Sequence, residues 1–211
     1  MVRTILITFF FVALQPAMNS NLFFIRGELA TIQSGQLVSK EYAPPPVENF
    51  SHCPLIDCEE IRYARELEEL FCVPACISIA QSILESNSGR SNLGANHCNL
   101  FGHKSFEIDE AYYYNGGRYC SSDSSCWRAY KNKRESYIEH GRFFLYTRQW
   151  NQEKGEFDYP YRALLQSCFD WRRWAKELQW RGYAGRNAND YASKLIDIIE
   201  RDSLYIYNLN Y

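Results

Sequence analysis

The sequence predicts an α+β fold, mainly α, in which helices at both ends of one domain enclose a small β-lobe. Three observations carry this expectation. Apolar residues recur at helical spacing from Ile61 to Leu84, and again over three stretches between about 133 and 201. Between them, Ala111-Tyr112-Tyr113-Tyr114 is β-favouring and Asn115-Gly116 is a strong hairpin signal. There are no internal repeats and no low-complexity tracts, and helices first and last with a small β-lobe between make an α+β domain.

The chain has 211 residues, which fits one domain behind an N-terminal extension. Residues 1–20 read as an export signal. Arg3 supplies the positive start, and Ile5 to Leu14 form an apolar run broken only by Thr8. That run is too short to span a bilayer. The alternative is an uncleaved anchor continuing through Leu22-Phe23-Phe24-Ile25. No later segment is apolar enough to cross a membrane. Residues 21–58 read as a linker or irregular arm, stiffened by Pro44-Pro45-Pro46.

The domain is placed at 59–211. Ile61, Ala64, Leu67 and Phe71, with Glu and Arg between them, form the stripe of a first helix. Pro74 suits the first turn of a second, whose stripe is Ile77, Ala80, Ile83 and Leu84. Glu85 follows, and Gly89 supplies a stop. Residues 90–102 are turn-rich. Residues 103–131 read as the β-lobe, with Arg118-Tyr119-Cys120 and Cys126 to Tyr130 as strands. Helices follow at about 133–148, at 160–181 with a break near Asp170, and at 188–201, where Tyr191, Leu195 and Ile198 face the core.

Apolar residues make up 46% of the chain and the formal charge is −2. That balance argues against nucleic acid, which selects a basic face, and is compatible with a neutral glycan. The eight cysteines, even in number behind an export signal, suggest disulfides formed in an oxidising compartment. Their pairing stays open, although Cys120 and Cys126 close the shortest easy loop. A zinc site would draw on Cys53, Cys58, Cys72, Cys76, His97 and Cys98, but the spacing is looser than structural zinc sites use. No metal and no organic cofactor are expected.

Glu85 is the residue with the clearest chemistry. It ends an apolar helix and precedes the polar turn Ser86-Asn87-Ser88-Gly89, as a cleft rim requires. A carboxyl held against apolar walls keeps its proton to higher pH than in water. Such a group can protonate a glycosidic oxygen.

Gln81-Ser82-Ile83-Leu84-Glu85-Ser86, followed by Asn99-Leu100-Phe101-Gly102, resembles the peptidoglycan-cleaving β-N-acetylglucosaminidases of the autolysin and flagellar-rod hydrolase type. Two further stretches match: Glu135 to Leu145, with Ser136 and His140, and Trp174 to Ala184, with Gly182-Tyr183-Ala184. The resemblance runs from about 60 to 207 and implies a lysozyme-like fold. It implies that Glu85 is the catalytic acid, that Asn99 and Phe101 shape the cleft floor and bind substrate, and that Tyr183 reaches the cleft. The substrate implied is the peptidoglycan glycan strand, cut by a secreted or periplasmic monomer between N-acetylglucosamine and N-acetylmuramic acid in endo fashion.

This chain departs from the family in three places. Cys98 replaces one of two frequent Asn residues. His103, where Ile is frequent, could face the cleft or cap a strand and is read as a cap; His140, which matches the family, reads as structural. Tyr112 stands where many relatives carry the second carboxylate, so Glu110 or Asp109 would have to reach the cleft, with Glu107 just upstream. Failing these, the N-acetyl group of the substrate itself could act. A lytic transglycosylase on a similar fold and an inactive glycan-binding module are the alternatives.

Overall fold

The computed structural model describes residues 20–25, 28–33, 36–38, 56–105, 117–166, 170–185 and 187–209. The chain divides into two compact units, residues 1–40 and 41–211. In the first, β1 (Ser20–Ile25), β2 (Glu28–Gln33) and β3 (Gln36–Val38) form an antiparallel meander. Pairing of Ile25 with Glu28 and of Gln33 with Gln36 leaves two residues between successive strands. The stretch read as an irregular arm therefore contains three strands. Its sequence carried the signal: Arg26-Gly27 and Ser34-Gly35 are two-residue, Gly-containing links between apolar runs. The proposed export signal and Pro44-Pro45-Pro46 lie outside the described residues.

In the second unit, α1 (Cys58–Phe71) starts at Asp57, whose side chain accepts from Glu59 N at 3.0 Å. Ile61, Ala64, Leu67 and Phe71 are buried, as the periodicity predicts. The helix ends at Cys72, in the left-handed region with φ of 57°.

Helix α2 (Ala75–Ser86) is the centre of the unit, packed by α1 and by elements from the far end of the chain. Every residue from Ala75 to Gln81 is buried, which suits a helix with little polar surface in its first two turns. Pro74 supplies no side-chain cap. Two distant groups do so instead. Glu68 Oε2 accepts from Ala75 N at 3.1 Å, and Asn208 Oδ1 accepts from Cys76 N at 2.9 Å. Glu68 Oε2 also accepts from Leu209 N at 2.9 Å, so one buried carboxylate ties α1, α2 and the chain end.

At its other end α2 leaves the core. Ile83 and Leu84 are half-buried and Glu85 is exposed. Asn87 closes the helix at φ 53°, two residues before the expected Gly89. A short helix not foreseen from sequence, α3 (Asn92–His97), folds back over this turn. Six residues are too few to show a period. The approach requires glycine: a Cβ on Gly94 would lie 2.8 Å from Gly89 O.

The β-lobe pairs β4 (Gly117–Cys120) with β5 (Cys126–Ala129), and Cys120 is disulfide-bonded to Cys126 across the end of the ladder. The Asn115-Gly116 turn and the aromatic strand before it lie outside the described residues. Helix α4 (Lys133–Tyr146) packs on α1 at Gly141, where a Cβ would come within 2.4 Å of Phe71 Cδ2. A second hairpin, β6 (Gln149–Asn151) with β7 (Glu156–Asp158), was not anticipated. The break read near Asp170 is the start of α5 (Trp171–Trp180), with Asp170 accepting from Arg173 N at 2.9 Å. Helix α6 (Tyr191–Arg201) buries Tyr191, Leu195 and Ile198, and a 3-10 turn over Leu204–Tyr207 returns to α2. The arrangement is mostly helical with a small antiparallel sheet, as predicted.

Removing the Glu68 carboxylate leaves two backbone N–H groups without their acceptor. Glu68→Ala is expected to lower unfolding free energy by about 3 kcal/mol in urea titration, whereas Glu68→Gln, which keeps an acceptor, loses less.

Candidate active site

Three elements bring the site together: the last turn of α2, the first residue of α6, and the turn after α5. Helix α2 delivers Glu85 to the surface. Helix α6 delivers Tyr191, whose ring is 4% exposed and whose hydroxyl donates to Glu85 Oε1 at 2.9 Å. Gln81, one turn before Glu85 on the same helix face, donates from Nε2 to the Tyr191 oxygen at 3.1 Å. The turn after α5 delivers Tyr183, half-buried, with its ring centroid 5.6 Å from that of Tyr191. This turn is shaped by Gly182 at φ 74°.

Glu85 is the one expected site residue that faces solvent among those described. Its carboxyl nevertheless sits closely enough against protein that desolvation raises its pKa above the ordinary carboxylate value. The Tyr191 hydrogen bond acts the other way, favouring the charged form, and is the smaller effect. Burial likewise raises the Tyr183 and Tyr191 phenols, and the nearby Glu85 charge adds to both shifts. Both phenols therefore remain protonated donors throughout the physiological range.

Asn99 and Phe101 lie beneath the site rather than in it. Asn99 is 1% exposed. Its Nδ2 donates to the carbonyls of His103 and Arg128 at 3.0 and 2.9 Å, and its Oδ1 accepts from His103 N at 3.0 Å. Of the two roles open to Asn99, bonding backbone or bonding sugar, the backbone one is seen here: both amide protons are used in a staple between the α3–β-lobe connection and β5. Phe101 is buried and stacks face to face on His140 at 3.8 Å.

His103, read as a strand cap, is instead part of the core. Its Nδ1 is 2.8 Å from Tyr130 Oη, and its Nε2 is 3.2 Å from His140 Nδ1. His140 Nε2 in turn is 2.9 Å from Gln81 Oε1. Burial lowers the His103 pKa to about 3, with the Arg128 charge adding to the shift. Burial also lowers that of His140 well below its usual value. Both rings are neutral at pH 7.

Asp109, Glu110 and Glu107 lie outside the described residues. Of the cysteines considered for zinc, Cys72 is disulfide-bonded, Cys58 is an exposed thiol and Cys76 a buried one. Sequence reasoning missed Gln81 and Tyr191 as site residues. Gln81 was visible as the first letter of the helix-end motif. Tyr191 was read as core, and its ring is core, but its hydroxyl belongs to the site.

Residues 61–204 match the family described as mannosyl-glycoprotein endo-beta-N-acetylglucosaminidase. The chain belongs to this glycoside hydrolase family. It is 33% identical over 154 residues to the exo-glucosaminidase LytG of Bacillus subtilis, which covers 69% of this chain and 50% of that protein. The chain thus spans about half the length of this relative. Among solved structures, the catalytic domain of the autolysin Auto from Listeria monocytogenes superposes with a TM-score of 0.51 at 27% identity, covering 71% of this chain and 84% of that one. The glycoside hydrolase domain of Salmonella typhimurium FlgJ gives 0.50 at 21% identity, covering 67% and 82%, and shares the fold. The lysozyme-like architecture expected from the motifs is therefore the one observed.

Two measurements follow. Asn99→Ala is expected to cost about 3 kcal/mol of stability, read by thermal denaturation, because three buried backbone groups lose their partner. The histidines give a pH signature. Their folded pKa values are depressed, so below about 6.5 the unfolded chain binds protons that the folded one does not. Stability should be level between about pH 7 and 8 and fall as pH drops below 6.5, by up to about 2.7 kcal/mol per unit for two protons. Glu85 and Glu139, whose pKa values are raised, act with the opposite sign and reduce that slope.

Proposed function

We propose that the chain is an exported hydrolase that cuts the β-1,4 bond between N-acetylglucosamine and N-acetylmuramic acid in peptidoglycan. Glu85 would be its general acid and a monomer its working form. The observation that carries this reading is the Glu85 carboxyl itself. It stands at a helix end facing solvent, its pKa is raised by desolvation, and one of its oxygens is fixed by Tyr191. Such a group keeps its proton to higher pH than a solvated carboxyl and would offer it to the departing sugar oxygen as the oxocarbenium-like charge develops. Family membership and the helix-end motif support the same assignment.

Tyr183 lies within electrostatic reach of Glu85 and would place its hydroxyl beside the acetamido-sugar. A trough of about 670 Å³ runs between the β6–β7 hairpin and the turn after α5, beside Tyr159 and Trp180; Glu85, Tyr183 and Tyr191 are not among its walls, so it would serve as an outlying sugar subsite. Trp180 is 78% exposed there, and an exposed aromatic face suits a pyranose ring. Endo action, the mode in the family description, is the one proposed. The exo designation of LytG supports the other mode, and a fall in mean strand length early in digestion separates the two. Asp109 or Glu110 would activate water or stabilise charge on the opposite sugar face. A carboxyl separation of about 5 Å goes with retention and about 6.5–9.5 Å with inversion.

Glu85→Gln keeps the acceptor for Tyr191, so its circular dichroism and melting point should match the wild type. Wall hydrolysis should drop by about a thousandfold. Mass spectrometry of wild-type digests should show reducing N-acetylglucosamine ends. Retained lysis in the variant, or anhydro-muramic products from the wild type, would contradict the assignment.

A further inference from the structure

A single hydrogen-bonded line runs from the edge of the β-lobe to Glu85. It passes through Tyr130, His103, His140, Gln81 and Tyr191, with successive separations of 2.8, 3.2, 2.9, 3.1 and 2.9 Å. The four inner members are each less than 9% exposed, so water does not compete for their hydrogen bonds. Chemistry fixes the direction of every bond. A Glu85 carboxylate only accepts, so Tyr191 donates its one proton to Oε1. The Tyr191 oxygen then accepts from Gln81 Nε2, and Gln81 Oε1 must accept from His140. His140, neutral and protonated at Nε2, offers its Nδ1 lone pair to His103 Nε2–H. His103, neutral in the same way, accepts at Nδ1 from the Tyr130 hydroxyl.

We infer that Tyr130, His103, His140 and Gln81 are positioning residues that hold the Tyr191 proton on Glu85 Oε1 and so confine the transferable proton to Oε2, the oxygen left for the leaving group. A proton on Oε1 makes that oxygen a poorer acceptor for the Tyr191 hydroxyl, so the bond favours protonation at Oε2. Turning Oε1–H into the donor to Tyr191 along the same line would require Tyr191 to turn its own proton to Gln81, the Gln81 amide to flip, and both histidines to change tautomer. Such a wholesale reversal inside a buried line is disfavoured, because every bond in it is polarised in one sense. The inference rests on Glu85 being the general acid. Among the described residues, the other titratable or charged groups facing the line include Arg128 beside His103, Tyr183 beside His140, Tyr191 and Glu85, and Tyr161 beside Tyr183 and Tyr191. Arg128 disfavours protonation of His103, which keeps that ring neutral, and Tyr183 stays protonated.

The test needs no substrate in its first part. Proton-coupled nitrogen-15 spectra of the wild-type imidazoles should show His103 and His140 singly protonated at Nε2 from pH 5 to 8. A proton on Nδ1 of either ring would overturn the inference. In the second part, Gln81→Leu and Gln81→Met remove the donor to Tyr191, which weakens the preference for the charged carboxylate. The Glu85 carboxyl carbon should then titrate about half a pH unit higher than in the wild type. The basic limb of hydrolysis should follow it upward while kcat falls about tenfold and KM stays level, since the proton can now settle on either oxygen. A lost melting temperature with an unmoved Glu85 titration would mean that Gln81 only supports packing, and the inference would fail. If neither variant folds, the wild-type tautomers decide. If the wild type fails to hydrolyse wall, the proposed function falls, while tautomers and titration still decide the relay.

Discussion

The hydrogen bond from Tyr191 to Glu85 spans 106 residues of chain and depends on where two helices of the second unit end and begin. It forms only if α2 ends where it does and α6 begins where it does. The first condition is met at both ends of α2. Glu68 and Asn208 hold its start, and Asn87 in the left-handed conformation stops it one turn past the core. The second is met by Gln179, whose side chain accepts from Ala192 N at 2.9 Å and so ties the first turn of α6 to the end of α5. A carboxyl placed by such remote contacts is held in one geometry without needing a stiff loop beneath it.

The polar groups under the site cost desolvation wherever they are buried, and the fold offsets that cost by pairing them. Asn99, Gln81, His103 and His140 each use their side-chain polar atoms on defined partners. Glu60 accepts from Lys133 at 2.5 Å and from Ser82 at 3.3 Å, joining α1, α2 and α4 in the same manner. Aromatic faces fill the space between. Phe101, His140, Phe143 and Tyr183 contact one another at centroid separations of 3.8 to 6.4 Å. A packed polar core of this kind specifies one arrangement, because a partly satisfied alternative leaves buried donors or acceptors unmatched.

Much of the helical scaffold was legible because its helices carry strong periodic stripes: Ile61 to Phe71 for α1 and Tyr191 to Ile198 for α6. Glu85 was legible for a local reason, as the carboxylate at the edge between an apolar helix and a polar turn. What stayed hidden depends on contacts between distant residues. Nothing local to Asn99 says that its amide is consumed by His103 and Arg128. Nothing local to His103 distinguishes a strand cap from a buried ring beside His140. The β1–β3 meander and the β6–β7 hairpin were missed because strands of three to six residues give little alternation, and in β1–β3 the evidence lay in the two-residue links. Tyr191 was assigned correctly to the core, yet a phenol has two ends, and periodicity reports only the apolar one.

On the proposed function, the fold withholds solvent from the Glu85 carboxyl and so lets it keep its proton to higher pH than a solvated glutamate. The most direct measurement is a carbon-13 titration of the Glu85 carboxyl in the wild-type chain, set beside the pH dependence of wall hydrolysis. The expected midpoint lies above that of an ordinary glutamate and coincides with the loss of kcat/KM on the basic side. A midpoint at the ordinary carboxylate value, or a basic limb that does not track it, would contradict it.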